Sequence, residues 1–174
     1  MQAVYDRAKV LKLLVLDVDG VLTDGKLYLS DSGEEIKAFN TLDGHGLKML
    51  KASGVDVAII TGRKSRLVEI RAGNLGIAHL YQGVEDKLSA FRELIGKLGL
   101  QPQQVAFMGD DLVDLPAMRR AGLALTVPAA PALVKQNAHY VSERSGGEGA
   151  VREVCELIMQ AHGTFDAQVA PYLE

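Results

Sequence analysis

The stretch Leu13-Leu14-Val15-Leu16-Asp17-Val18-Asp19-Gly20 runs apolar residues, without alternation, into two aspartates and a glycine. A run with no polar face suits a strand buried on both sides, and such strands belong to parallel sheets covered by helices. Two further runs share the design. Val55-Asp56-Val57-Ala58-Ile59-Ile60 ends at Thr61-Gly62-Arg63, and Gln104-Val105-Ala106-Phe107-Met108 ends at Gly109-Asp110-Asp111. Shorter strand candidates are His79-Leu80-Tyr81, Leu123-Ala124-Leu125-Thr126-Val127 and His139-Tyr140-Val141. Helix-period stretches lie between them at residues 44–53, 65–75, 87–98, 112–121 and 149–160. Gly54, Gly76, Gly99 and Gly122 follow four of these, where a left-handed C-terminal cap favours glycine. The alternation predicts an α/β fold, a doubly wound Rossmann-like parallel sheet.

Residues 26–40 break the pattern. Leu27-Tyr28-Leu29-Ser30, a turn at Asp31-Ser32-Gly33 and Glu35-Ile36-Lys37-Ala38-Phe39 predict a β-hairpin projecting from the sheet. Residues 163–174 show no strong period and are expected to be mobile or to dock on a neighbour. The 174 residues predict one domain, 1–174.

Apolar residues make up 48% and charged residues 24%, the proportions of an ordinary globular chain rather than a disordered or collagenous one. The least charged stretch, 121–134, is too short for a membrane span and is broken by Pro128 and Pro131. The N-terminus has no apolar run before Leu11, so no secretory signal is expected. With Cys155 as the only cysteine, an intrachain disulfide is impossible and a cytoplasmic location is expected. The net charge is −3, from 19 basic and 22 acidic residues, so neither nucleic acid nor an anionic membrane is an expected partner. An anionic ligand would need its positive partners gathered locally.

Polar residues cluster at the C-terminal ends of the three strongest strands, the edge where open α/β sheets bind ligands. There stand Asp17, Asp19, Thr61, Asp110, Asp111 and Asp114, with Lys87 opening the helix after the Tyr81 strand. Asp17 and Asp19 are two apart in extended chain and share a face. Three carboxylates this close cannot all stay ionised without compensation, and a divalent cation with oxygen ligands, Mg²⁺ above all, supplies it. A nucleophilic aspartate in such a cluster can accept a phosphoryl group, and a second can protonate the leaving alcohol and then activate water. The Thr61 hydroxyl, the backbone N–H groups that follow at Gly62, and the Lys87 ammonium would hold the phosphoryl oxygens.

Asp17-x-Asp19-Gly20, Thr61-Gly62, Lys87 and Gly109-Asp110-Asp111-x-x-Asp114, in that order and spacing, resemble the four motifs of the haloacid-dehalogenase-like phosphohydrolases. The resemblance implies that Asp17 is the nucleophile and Asp19 the general acid/base. It further implies that Mg²⁺ is bound by the Asp17 side chain, the Asp19 backbone carbonyl and Asp110, with Asp114 supporting the metal's water shell. A dehalogenase is disfavoured, because those relatives lack an acid/base at the place of Asp19. The intervals from Asp17 to Thr61 and from Thr61 to Lys87 leave no room for the cap domain of many relatives. Neighbouring subunits are therefore expected to close the site, with the hairpin as the assembling element.

Arg63, Lys64, Arg66 and Arg71 follow the second strand end directly. Arg63 is the best candidate for a second anionic group on the substrate, such as a carboxylate held bidentately, and Arg71 lies roughly two helical turns further along the same face. Within the family, Gly33-Glu34-Glu35-x-Lys37-Ala38-Phe39-Asn40, Asp43-Gly44-x-Gly46, His79-Leu80-Tyr81-Gln82-Gly83 and Gly146-Gly147-x-Gly149-Ala150-Val151-Arg152-Glu153 resemble a capless, homotetrameric branch. That branch hydrolyses an eight-carbon keto-acid sugar phosphate in lipopolysaccharide biosynthesis. The resemblance implies substrate contacts from Asn40, Asp43, Gly44, Arg63, Arg71 and Lys87. The competing readings are a phosphatase of a nine-carbon sialic-acid-type sugar phosphate and a non-enzymatic receiver-like phosphoacceptor domain.

Overall fold

The computed structural model describes residues 1–173. In chain order its regular elements begin with α1 (Gln2–Ala8), β1 (Leu13–Leu16), β2 (Tyr28–Leu29), β3 (Glu35–Ile36), α2 (Thr41–Ala52), β4 (Asp56–Ile60), α3 (Arg66–Asn74) and β5 (His79–Tyr81). They continue with α4 (Lys87–Leu98), β6 (Val105–Met108), α5 (Leu115–Met118), β7 (Leu123–Thr126), α6 (Ala132–Asn137), β8 (Tyr140–Val141), α7 (Ala150–His162) and α8 (Phe165–Val169). Six strands form one parallel sheet in the order β5-β4-β1-β6-β7-β8. All four residues of β1, β6 and β7 are buried, as their unbroken apolar runs require. Parallel neighbours need crossover connections, and the helices supply them. α1 and α2 pack on α7 over one face, while α4, α5 and α6 pack in sequence over the other. β2 and β3 pair antiparallel as a separate ribbon, the projecting hairpin.

The strand order places the site. From β1 the chain moves to β4 and β5, then returns to β6 on the other side of β1 and continues to β7 and β8. The loops after β1 and β6 therefore leave their adjacent strands in opposite directions and open a crevice between them, the topological switch point. No cap covers it. Only the ribbon and α2 separate β1 from β4, and only α3 and β5 separate β4 from α4.

The helix boundaries follow local chemistry. Asp86 caps α4 by accepting from the backbone N–H groups of Leu88 and Ser89, and Gly99 ends it in the left-handed conformation, so Lys87 is the first helical residue. Gly122 departs from the expected left-handed cap. Its φ is not positive, and a Cβ there would stand 2.4 Å from the Gln103 carbonyl oxygen, so glycine allows a close backbone approach instead. The 112–121 stretch divides into a 3₁₀ turn, Leu112–Asp114, and the short α5. α1 and α6 carry no sequence period strong enough to predict them. The segment after Gly163 folds as α8 and a 3₁₀ turn, Ala170–Tyr172, with Phe165 and Val169 packed on the core and the Tyr172 ring edge-on to His45 at 5.6 Å. Glu174, the last residue of the expected tail, lies outside the described residues.

Candidate active site

Asp17 is the first residue beyond β1, and its N–H donates to the Met108 carbonyl, continuing the ladder to β6. Asp110 stands two residues beyond β6. Gly20 turns the chain with φ +87°, and a Cβ at that position would lie 2.0 Å from Asp110 Oδ2. Only glycine supplies both the turn and the space for that carboxylate. Lys87 Nζ reaches in from α4, 2.9 Å from Asp17 Oδ2 and 2.6 Å from Asp114 Oδ1. The other Asp114 oxygen accepts the N–H groups of Asp110 and Asp111, each at 3.1 Å. Asp114 is thus spent on the lysine and on shaping the loop that carries Asp110.

Carboxylate oxygens of Asp17, Asp110 and Asp114 all lie within 4.8 Å of one another. Three acids face one ammonium in a region where Asp17 and Lys87 are almost inaccessible and Asp114 fully so. Burial, with repulsion from Asp114, pushes the Asp17 carboxyl up to about 6 despite Lys87. Burial and the charges of Asp17, Asp114 and Asp111 push Asp110 up to about 7. Burial alone would lower Lys87, but Asp17 and Asp114 outweigh it and hold its ammonium above the usual range. Asp17 Oδ1 is buried with no hydrogen-bond partner among the described residues. An orphaned carboxylate oxygen among excess negative charge, in an all-oxygen donor set, fits a hard divalent cation. Asp17 and Asp110 are the side chains placed to hold it, since Asp114 is committed to Lys87 and the loop.

Asp19 belongs to a second arrangement. Lys37, at the end of the ribbon, places Nζ 2.5 Å from Asp19 Oδ1 and 3.3 Å from Glu35 Oε1. Arg63 donates to the same Glu35 oxygen at 2.7 Å, and its Nε stands 3.8 Å from Asp19 Oδ2. Thr61 is buried at the end of β4, with its backbone tied to Tyr81 and Val84. Gly62 beside it is exposed, and a Cβ there would meet only the Val84 carbonyl at 3.6 Å.

Asn40, Gly44 and Arg71 form a third group. Asn40 caps α2 by accepting from Leu42 N–H and donates to the Gly147 carbonyl, while Arg71 donates to the Asn40 carbonyl at 3.0 Å. The Arg71 guanidinium also lies 5.8 Å from the Phe39 ring centre, and a Cβ at Gly44 would clash with it. Together with Thr41, His45, Lys48 and Leu75, Gly44 and Arg71 line a cavity of about 200 Å³. Asp43 is not brought to this group by its side chain. Its carboxylate is buried between α2 and α7, where one oxygen accepts from Arg152 N–H at 2.8 Å and the other finds no hydrogen-bond partner among the described residues. Burial still holds that carboxyl above its usual range. A larger cavity, about 450 Å³ among Leu88, Leu115, Pro116, Arg119, Arg120, Leu133 and Asn137, contains none of these residues.

The family model for haloacid dehalogenase-like hydrolases matches residues 27–122, more than half of the chain. The chain belongs to the haloacid dehalogenase-like hydrolases. Among relatives in this family, it is 54% identical to 3-deoxy-D-manno-octulosonate 8-phosphate phosphatase of Yersinia pestis, over 94% of this chain and 87% of that protein. The corresponding phosphatase of Moraxella catarrhalis, solved with magnesium, phosphate and the KDO molecule, superposes with a TM-score of 0.97. It is 47% identical, covering 99% of both chains. The cobalt-bound Haemophilus influenzae phosphatase is 38% identical at a TM-score of 0.91, covering 97% of this chain and 99% of that one. Within this hydrolase, sequence reasoning passed over Lys37 and Glu35 as site residues. The signal was the Glu35-x-Lys37 spacing, which puts both side chains on one face of a strand.

Proposed function

We propose that this hydrolase is a Mg²⁺-dependent phosphatase releasing phosphate from 3-deoxy-D-manno-octulosonate 8-phosphate through an aspartyl phosphate on Asp17, in lipopolysaccharide biosynthesis. The observation that carries the reading is the switch-point cluster, in which Asp17 keeps one buried oxygen free while Lys87 holds the other. Relatives of that name match the chain over nearly its whole length.

Through the oxygen that Lys87 holds, with the unpartnered one left for the cation, Asp17 attacks phosphorus opposite the departing sugar oxygen. Asp19 donates the proton that oxygen needs, then takes one from the water that cleaves the acyl phosphate. Lys87, already held between two carboxylates, keeps Asp17 ionised and meets the charge on the phosphoryl oxygens, with Thr61 and the Gly62 N–H on the other side. When bound by Asp17, Asp110 and the Asp19 carbonyl, Mg²⁺ neutralises phosphoryl charge during transfer. At the substrate's acid end, Arg63 takes the carboxylate, and Asn40, Gly44 and Arg71 line the sugar's approach.

The open crevice needs a cover, and the ribbon offers one. Tyr28 and Ile36 pair across it and are exposed, as are Leu27 and Leu29. The reading is a cytoplasmic homotetramer in which ribbons of neighbouring copies complete each site. The buried, inert Cys155 thiol is compatible with that compartment. The reading is tested by phosphate release from the eight-carbon keto-acid phosphate and from a nine-carbon sialic-acid-type phosphate, each with Mg²⁺ and with a chelator. A higher kcat/KM for the eight-carbon ester, lost on chelation, is expected. Preference for the nine-carbon ester would move the substrate, and turnover unaffected by chelation would sink the metal-dependent mechanism.

A further inference from the structure

The ribbon does more than shield the crevice. Glu35 and Lys37 alternate with Ile36, so the two charged side chains turn to one face while Ile36 stands exposed on the other. On the charged face, Lys37, Glu35, Arg63 and Asp19 close a ring of two cations and two anions, with contacts of 2.5, 3.3, 2.7 and 3.8 Å. With Asp19 ionised its net charge is zero; with Asp19 carrying the proton it gives to the leaving oxygen, it is +1. The Lys37 side chain is only 2% exposed, whereas Arg63 is 47% exposed. A lysine stem is flexible and its ammonium strongly hydrated, so withdrawing it from water requires compensation, and Asp19 and Glu35 provide it. The consequence falls on Asp19. Its backbone is set by the turn after β1, but its side chain has free rotation unless a partner restrains it. Lys37 holds Oδ1 from one side and Arg63 stands by Oδ2 on the other.

We propose that Lys37 is a positioning residue for Asp19: the ribbon lysine fixes the rotamer from which that carboxyl meets the leaving oxygen, and Glu35 fixes the lysine. The inference rests on Asp19 being the acid of the proposed phosphatase. Arg63 can leave the ring for a substrate carboxylate because Lys37 remains on Asp19. Lys37 therefore touches neither phosphorus nor sugar and acts only through Asp19.

A leaving oxygen that departs readily needs no proton, so the two classes of phosphate ester separate the roles. The test compares Lys37→Met with the wild type on an alkyl phosphate and on p-nitrophenyl phosphate, reading kcat/KM, which covers the steps only through formation of the aspartyl phosphate. The expected result is a loss of roughly 10²-fold on the alkyl ester and less than about threefold on the aryl ester, with Mg²⁺ affinity unchanged. Glu35→Gln, which keeps the lysine but loosens its anchor, should show the same asymmetry at smaller size and covers the case in which Lys37→Met fails to fold. Equal losses on both esters, or none on either, would overturn the role of Lys37. A wild type without metal-dependent turnover of either ester would instead sink the phosphatase reading and this inference with it.

Discussion

The carboxylate cluster and the ribbon meet at one edge of the sheet yet are built in opposite ways. The cluster is assembled from the end of β1, α4 and the loop after β6, is largely buried, and has every oxygen of Asp114 committed. The ribbon consists of two two-residue strands, exposes Leu27, Tyr28, Leu29 and Ile36, and touches the rest of the site through charged side chains. A short isolated hairpin is marginal by itself. The side chains of the carboxylate cluster all come from one chain. The part that would select the rest of the molecule is anchored less firmly and is shaped for company.

The largest separation between the two regions should come from Asp17→Asn. It should lower turnover by about 10⁴-fold or more, while the metal-free protein melts no lower than the wild type because a buried charge is gone. Residual metal-dependent turnover near the wild-type rate would remove Asp17 as nucleophile. Lys87→Met should cost about 3–5 kcal/mol in denaturant unfolding, since it leaves Asp17 and Asp114 buried without their counter-ion. A loss below about 1 kcal/mol would mean the cluster is far wetter than its burial indicates. On the ribbon, Tyr28→Ser with Ile36→Ser should leave stability almost unchanged but shift sedimentation toward the 18.7 kDa protomer and lower kcat/KM on the keto-acid substrate by roughly tenfold. An unchanged assembly would separate the ribbon from oligomerisation.

The smallest effect concerns pH. Asp17 and Asp110 rise from an ordinary 3.8 to about 6 and about 7, so the metal-free folded chain binds more protons than the unfolded one across that window. Metal-free stability should fall as pH rises from about 4 to 7. Mg²⁺ needs both carboxylates ionised, so its gain in melting temperature should be a few degrees larger at pH 8 than at pH 5.5. A gain independent of pH would place the cation elsewhere.

What was legible in the sequence divides along the same line. The apolar runs of β1, β4 and β6, interrupted only at Asp56, and the polar residues at their ends carry the sheet and the position of Asp17, Thr61 and Asp110. α4 was legible to the residue because Asp86 and Gly99 bound it with local chemistry. α1, α6 and α8 were not, since short helices draw their stability from docking rather than from their own pattern. Asp43 shows the limit at the site. An aspartate near a glycine-rich turn has the same signature whether it meets a ligand or caps a helix more than a hundred residues away, and here the partner is Arg152 N–H. The Glu35-x-Lys37 spacing puts the two side chains on one face, but that this face meets Asp19 depends on how the ribbon folds back.

The Asp17–Lys87–Asp114 contacts join residues supplied at widely separated moments of synthesis. A chain emerging from the ribosome exposes its first aspartate well before the ammonium and the third acid exist to neighbour it. Competence to bind the cation thus arrives only once β6 has slotted in beside β1, so occupancy of the crevice is a timestamp on that pairing, ahead of β7 and β8.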